Sequence, residues 1–190
     1  MKKFTILILS FLFFIPSISL LAQESFFTYA GGVVGGGLNH IEYKDWFEDE
    51  RKTKQVRGGF LNCGLLLNIY IRYLVGEISM HYIYNSNDSS PDISVSHLIY
   101  NAIGKYAYEL DKKILLTSGL GLYLETPPSN IGYDGGAGFI LTLGSIYRYN
   151  WDWNIIFDLK GRYGSFGIGE DSTKFSWGID LGLVKRIGKI

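Results

Sequence analysis

The chain has 190 residues, with 18 lysines and arginines against 18 aspartates and glutamates, and 47% of it is hydrophobic. That length suits one domain, and the even charge balance excludes the strong basic bias of a nucleic-acid binder. Cys63 is the only cysteine, which excludes an internal disulfide, while 24 glycines, 14 tyrosines and 12 phenylalanines beside only 4 prolines describe strands rather than disorder.

The first 22 residues read MKKFTILILSFLFFIPSISLLA: two lysines, an apolar stretch from Phe4 to Ile15, then small and apolar residues. This is the anatomy of a secretory signal peptide cleaved after Ala22. The apolar stretch is short of the ~20 residues a spanning helix needs. The sequence therefore divides into a signal, 1–22, and one domain, 23–190, which carries 16 bases and 18 acids, a formal charge of −2. No cysteine precedes Cys63, so an N-terminal lipid-modified cysteine is excluded.

Beyond the signal, eight stretches predict strands. The first, FFTYAGGVVGGGLNH, is so rich in glycine that neither face can be assigned. FLNCGLLLNIYIRY alternates weakly, with Asn62, Asn68 and Arg72 on the polar side. In VGEISMHYIYN, Ile78, Met80, Tyr82 and Tyr84 alternate with Glu77, Ser79 and His81. HLIYNAIGKYAYEL sets Leu98, Tyr100, Ala102, Tyr106 and Tyr108 against His97, Asn101, Lys105 and Glu109. KILLTSGLGLYLE puts Ile114, Leu116, Leu120, Leu122 and Leu124 opposite Thr117, Gly119 and Gly121. FILTLGSIYRYN, NIIFDLKGRYG and FSWGIDLGLVKRI repeat the template; in the middle one, Ile155, Phe157, Leu159 and Tyr163 interleave with Asp158, Lys160 and Arg162. Successive side chains of a strand point to opposite faces, so each run has an apolar row and a polar row.

Long polar connections, roughly Ile41 to Val56, Asn85 to Ser94, Glu125 to Gly135 and Ser165 to Lys174, alternate with tight turns near Leu74, at Leu110 to Lys112 and at Asn150 to Trp153. An all-β meander closed into an eight-stranded antiparallel up-and-down transmembrane β-barrel would gather the long loops at one end and the turns and termini at the other. The apolar rows then face lipid. A soluble barrel would invert this and put the apolar rows inside, and periodicity alone does not separate the two; with the charged rows inside, apolar rows facing water would expose far more than a few hundred Å². The inward polar set comprises Glu77, Glu109, Asp158 and Asp180 with Arg72, Lys105, Arg148, Lys160, Arg162 and Arg186, four acids and six bases, with His81 among them. This excess of base predicts that Lys160→Leu is better tolerated than Leu159→Arg.

The segments GGAGFILTLGSIYRYNWDWNIIFDLKGRYG and FSWGIDLGLVKRI resemble the porin-like eight-stranded outer-membrane barrel family that includes OmpW, OmpX and the OmpA membrane domain. Gly136, Ala137, Gly138, Tyr147, Arg148, Arg162, Tyr163, Gly182, Leu183, Arg186 and Ile187 carry the resemblance, and Lys185 and Ile187 stand where that family favours aromatics. The resemblance implies residence in the outer membrane of a diderm bacterium, with outer-membrane lipid and the barrel assembly machinery as partners. The expected form is a monomer whose loops are available to an extracellular ligand.

Glu77, Ser79 and His81 contain the residue types of an acyl-transfer triad, and lipid A deacylases of the PagL type are barrels of this size. Parity, however, turns these three inward, and same-face neighbours on a strand are ~6.5 Å apart, beyond direct hydrogen-bond reach. No catalytic residue is assigned. His40, His81 and His97 are scattered without zinc spacing, and the acids of DWFEDERKTK are followed at once by Arg51, Lys52 and Lys54, so no metal or cofactor is expected. The glycine clusters lack the strand, glycine loop and helix context of nucleotide sites. Two functions follow from the barrel: a structural or surface-interaction protein with a side-chain-filled lumen, or a narrow OmpW-like channel for small or apolar solutes. A lipid-modifying enzyme ranks third.

Overall fold

In the computed structural model, residues 26–44, 53–87, 96–126, 135–165 and 173–189 are described, the side chains of 43–44, 53–56 and 85–87 excepted. The signal segment and most of the long connections lie outside the described residues. The strands are β1 (Phe27–Lys44), β2 (Thr53–Ile71), β3 (Leu74–Asn87), β4 (His97–Glu109), β5 (Ile114–Glu125), β6 (Ala137–Arg148), β7 (Trp153–Ser165) and β8 (Thr173–Lys189). Each pairs antiparallel with its sequence neighbour, and β1 pairs with β8, so the sheet is a closed eight-stranded barrel. Strands reach further into the first connection than the polarity of those residues suggested: Ile41 to Lys44 and Thr53 to Val56 are paired.

Side-chain chemistry sets the short turns. Asp111 Oδ1 accepts the N–H groups of Lys113 and Ile114 at 2.6 and 2.8 Å, and Asn150 Oδ1 accepts those of Asp152 and Trp153 at 2.8 and 2.9 Å. A short polar side chain that satisfies the next backbone donors stabilises a turn locally. Between β2 and β3 the turn is only Arg72 and Tyr73, and Arg72 adopts φ 53°, a region where an L side chain crowds its own backbone.

The alternation read from sequence holds around the barrel. Leu61, Leu120, Phe139, Leu141, Leu159 and Leu181 are exposed on the outer face, whereas Glu77, Lys105, Asp158, Lys160 and Asp180 are buried inside. The glycine-rich β1 resolves too, with Val33 and Asn39 inward and Val34 and Leu38 outward. Outward aromatics form two groups. Tyr82, Tyr84, Tyr163, Phe175 and Trp177 lie toward the long-loop end; Tyr106, Tyr108, Tyr147 and Tyr149 lie toward the turn end. That separation suits the two interfaces of a bilayer.

The interior differs from a uniformly polar lumen. Val33, Leu66, Tyr70, Val75, Ala107, Leu115, Ile146, Ile156 and Val184 form an apolar layer on the turn side, and Phe60, Ile83, Ile99, Ile103, Tyr123 and Ile140 form a second layer toward the loops. Eight strands enclose a space just wide enough for side chains to fill. Apolar side chains can therefore pack there against one another, as in a soluble core.

Candidate functional site

The polar side chains of the interior are drawn mainly from β2, β3, β4, β7 and β8, and their central members form one ion network. Lys105 Nζ lies 2.6 Å from Glu77 Oε2 and 2.6 Å from Asp158 Oδ2. Lys160 Nζ lies 2.8 Å from Glu77 Oε1, 3.1 Å from Asp180 Oδ2 and 3.9 Å from Asp158 Oδ2. Asp158 and Asp180 are direct cross-strand partners on β7 and β8. Two carboxylates facing each other repel, so the register depends on a cation between them. Lys160 is that cation, two residues along the same face from Asp158.

Glycine makes room for these groups. A Cβ at Gly35 would strike Asp180 Oδ1 and the Ile179 carbonyl, and one at Gly144 would strike Asp158 Oδ1 and the Phe157 carbonyl. The glycines of β1 and β6 thus let neighbouring strands and their carboxylates approach closely, in addition to any bending role.

A neutral chain of hydrogen bonds adjoins the ions. Asn62 Nδ2 donates to Asp180 Oδ1 at 2.9 Å, leaving Asn62 Oδ1 toward His81 Nδ1 at 3.4 Å. A neutral imidazole with its proton on Nδ1 then accepts the Ser79 hydroxyl at Nε2, 3.0 Å away, and Ser79 Oγ accepts from Asn101 Nδ2 at 3.0 Å. Ser79 and His81 therefore do touch, contrary to the strand-spacing argument, because the imidazole bends back along its own strand. The geometry is still not that of an acyl-transfer triad. Glu77 lies 3.4 Å from Ser79 Oγ, whereas the outer nitrogen of His81 faces Asn62 rather than a carboxylate. All three residues are also buried, away from either membrane face.

Of the remaining inward residues named from sequence, Arg162 is 2% exposed, with no hydrogen-bond partner for Nε or Nη2 among the described residues. By charge count it is the third cation beside Glu77, Asp158 and Asp180, the acids that Lys105 and Lys160 contact directly. Arg72, Glu109, Arg148 and Arg186 do not join this network. Arg72 is in a turn, Arg148 lies 3.8 Å from Glu109 with both side chains at least 40% exposed, and Arg186 lies 3.7 Å from Asp152. These four belong to the turn-side mouth. The expected excess of base in the core is therefore absent, and Lys160, with three carboxylates around it, is no spare cation. The expectation that Lys160→Leu would be mild fails on that geometry.

Sequence reasoning also missed a second ion cluster. Beyond the loop-side apolar layer, Glu125 accepts from His97 Nε2 at 2.8 Å and pairs with Lys174, and all three side chains are buried. Glu125 and Lys174 were assigned to loops. Extending the alternation of β5 by one step from Tyr123, and that of β8 back from Ser176, would have placed both inward.

No protein-family model matches the sequence, and no curated protein matches it significantly. Among solved structures, the chain is similar to Neisserial surface protein A, with a TM-score of 0.52 and 11% identity over 83% of this chain and 99% of that one. The N-terminal β-barrel domain of Pseudomonas aeruginosa OprF gives 0.47 and 14% over 83% and 99%, and the attachment invasion locus protein Ail of Yersinia pestis gives 0.40 and 13% over 84% and 98%. The closed sheet and the first of these likenesses show the fold to be that of a small eight-stranded outer-membrane β-barrel.

Proposed function

We propose that the chain is an integral outer-membrane protein, delivered by its N-terminal signal, whose barrel is closed by its own side chains and serves a structural or surface-interaction role through the loops between β1 and β2, β3 and β4, β5 and β6, and β7 and β8. The observation that carries this reading is the stacking inside the barrel: the Glu77, Lys105, Asp158, Lys160 and Asp180 network lies between two apolar layers. An ion crossing would have to part both layers and exchange partners with a paired buried network, which is costly at each step. Among the described residues, the two apolar layers interrupt any polar path that would support the narrow-channel alternative.

The outer face supports the membrane assignment independently, since leucines such as Leu61, Leu120 and Leu141, each more than 60% exposed, form part of an outward apolar belt. With the long connections outside the cell, the turns at Arg72, Asp111 and Asn150 lie in the periplasm, the arrangement that barrel insertion commonly produces. Single-channel recording in a planar bilayer tests the plug. The expected result is a membrane that stays electrically silent after verified insertion of folded protein; stable open steps of porin size would overturn the reading.

A further inference from the structure

The turn-side mouth opens into a cavity of about 810 Å³, within the size range of small-molecule sites. Arg72, Lys112, Lys113, Arg148 and Arg186 line it, with no acidic side chain among the described lining residues. Tyr29 and Tyr70 meet edge to face in its lining, with ring centroids 4.9 Å apart, and both pack into the turn-side apolar layer that closes the lumen behind them. Tyr149 and Trp151 stand at the opening, Trp151 being 86% exposed. The cavity is thus a blind cup, cationic at its sides and aromatic at its floor and rim.

The acids near this mouth hold Arg148 and Arg186 only loosely. Arg148 reaches Glu109 only at 3.8 Å, and Arg186 reaches Asp152 only at 3.7 Å, loose contacts between partly exposed groups. Asp111 is occupied by the backbone of its own turn. Arg72 adds a second kind of observation: its φ of 53° is the only positive value at a non-glycine position among the described residues, and it is held at a turn that glycine or asparagine would form with less strain. Backbone strain of this kind marks places where a side chain is kept for its own sake.

We propose that this cup binds a small organic anion from the periplasmic side, a compound with a ring and one phosphate or carboxylate group. A guanidinium presents a planar fork that matches two oxygens of either anion, and the cations gathered around the mouth favour a negatively charged group. The tyrosines and Trp151 supply faces on which a ring stacks. Because the floor is closed by the apolar layer, the ligand is held rather than passed on. The side of approach and the closed floor rest on the function proposed above, whereas binding in detergent does not depend on them.

Full-length processed protein refolded in detergent tests it, using 4-nitrophenyl phosphate, whose ring quenches indole emission. The expected result is saturable quenching that disappears in Trp151→Phe, with 4-nitrophenyl glucoside and inorganic phosphate each binding much more weakly. The double variant Arg148→Gln/Arg186→Gln is expected to weaken binding about tenfold or more, with its folding verified by its altered gel mobility before boiling. Calorimetric titration of Trp151→Phe with the same compound is expected to show weaker but still saturable binding, because the phenyl ring keeps a smaller stacking face and the arginines are untouched. Short-chain phosphatidylglycerol, a phosphate without a ring, separates a lipid headgroup from a soluble ligand. Absence of saturation with 4-nitrophenyl phosphate, an unchanged affinity in the folded double variant, or binding of the lipid alone would overturn the proposal.

Discussion

Lys160→Met is expected to lower the unfolding free energy by about 3–5 kcal/mol, the usual cost of removing one partner from a buried ion pair. Lys160 Nζ lies within 3.1 Å of both Glu77 and Asp180, and its side chain is 2% exposed. Without it, Asp158 and Asp180 face each other across β7 and β8 with only Lys105 and Arg162 left to offset three carboxylates. Methionine nearly preserves the volume of the side chain, so the loss reports charge rather than packing. Asp180→Asn in the Lys160→Met background is expected to recover part of the loss, because it removes one of the carboxylates left unpaired. Urea unfolding of the single and double variants in lipid vesicles checks both statements. A loss below about 1 kcal/mol for Lys160→Met would mean that the network is solvated rather than sealed between its apolar layers.

Leu159, the preceding residue, is expected to be just as intolerant for the opposite reason. It points outward near the middle of β7, and an arginine there would stand in hydrocarbon, at a cost of about 2–4 kcal/mol. The same replacement at Tyr163, outward but close to the loop end of the strand, is expected to cost only about 0–1 kcal/mol, since it can reach the interface. The gradient between these two sites is the informative quantity. Equal and small losses at both would place this face in water.

The positions that reading the sequence placed well are those where chemistry alternates sharply along a strand. Asp158, Lys160 and Arg162 interleave with Phe157, Leu159 and Tyr163, so one parity assignment orients the whole of β7, and the structure orients it the same way. Alternation says nothing about depth. Glu109, Arg148 and Arg186 have inward parity, yet they lie toward the turn-side ends of their strands, and this puts them at the mouth instead of in the network. The same uncertainty at the other end hid Glu125 and Lys174.

The apolar layers were illegible for a different reason. Ile156 stands in the same row as Asp158, and Ile140, Ile146 and Ile99 likewise occupy inward rows beside polar neighbours. Where both faces of a strand carry apolar residues, period two has no contrast to detect. What decides their placement is the diameter of the closed barrel, which depends on all eight strands at once. The glycines of β1 illustrate the converse case. Gly35 carries no pattern, but the carboxylate of Asp180 on the neighbouring strand occupies the place its side chain would take.

Cys63 offers the most direct measurement of which face meets the lipid. It is the only cysteine in the chain, it is exposed on the outer face of β2, and its neighbours across the sheet are Val34 and Tyr82. With a small fluorescent maleimide attached there and the protein inserted in vesicles, lipids brominated in the middle of their acyl chains should quench the label strongly, while aqueous iodide should have little effect. Efficient quenching by iodide with none by the brominated lipids would place the apolar face of the barrel in water and contradict the account.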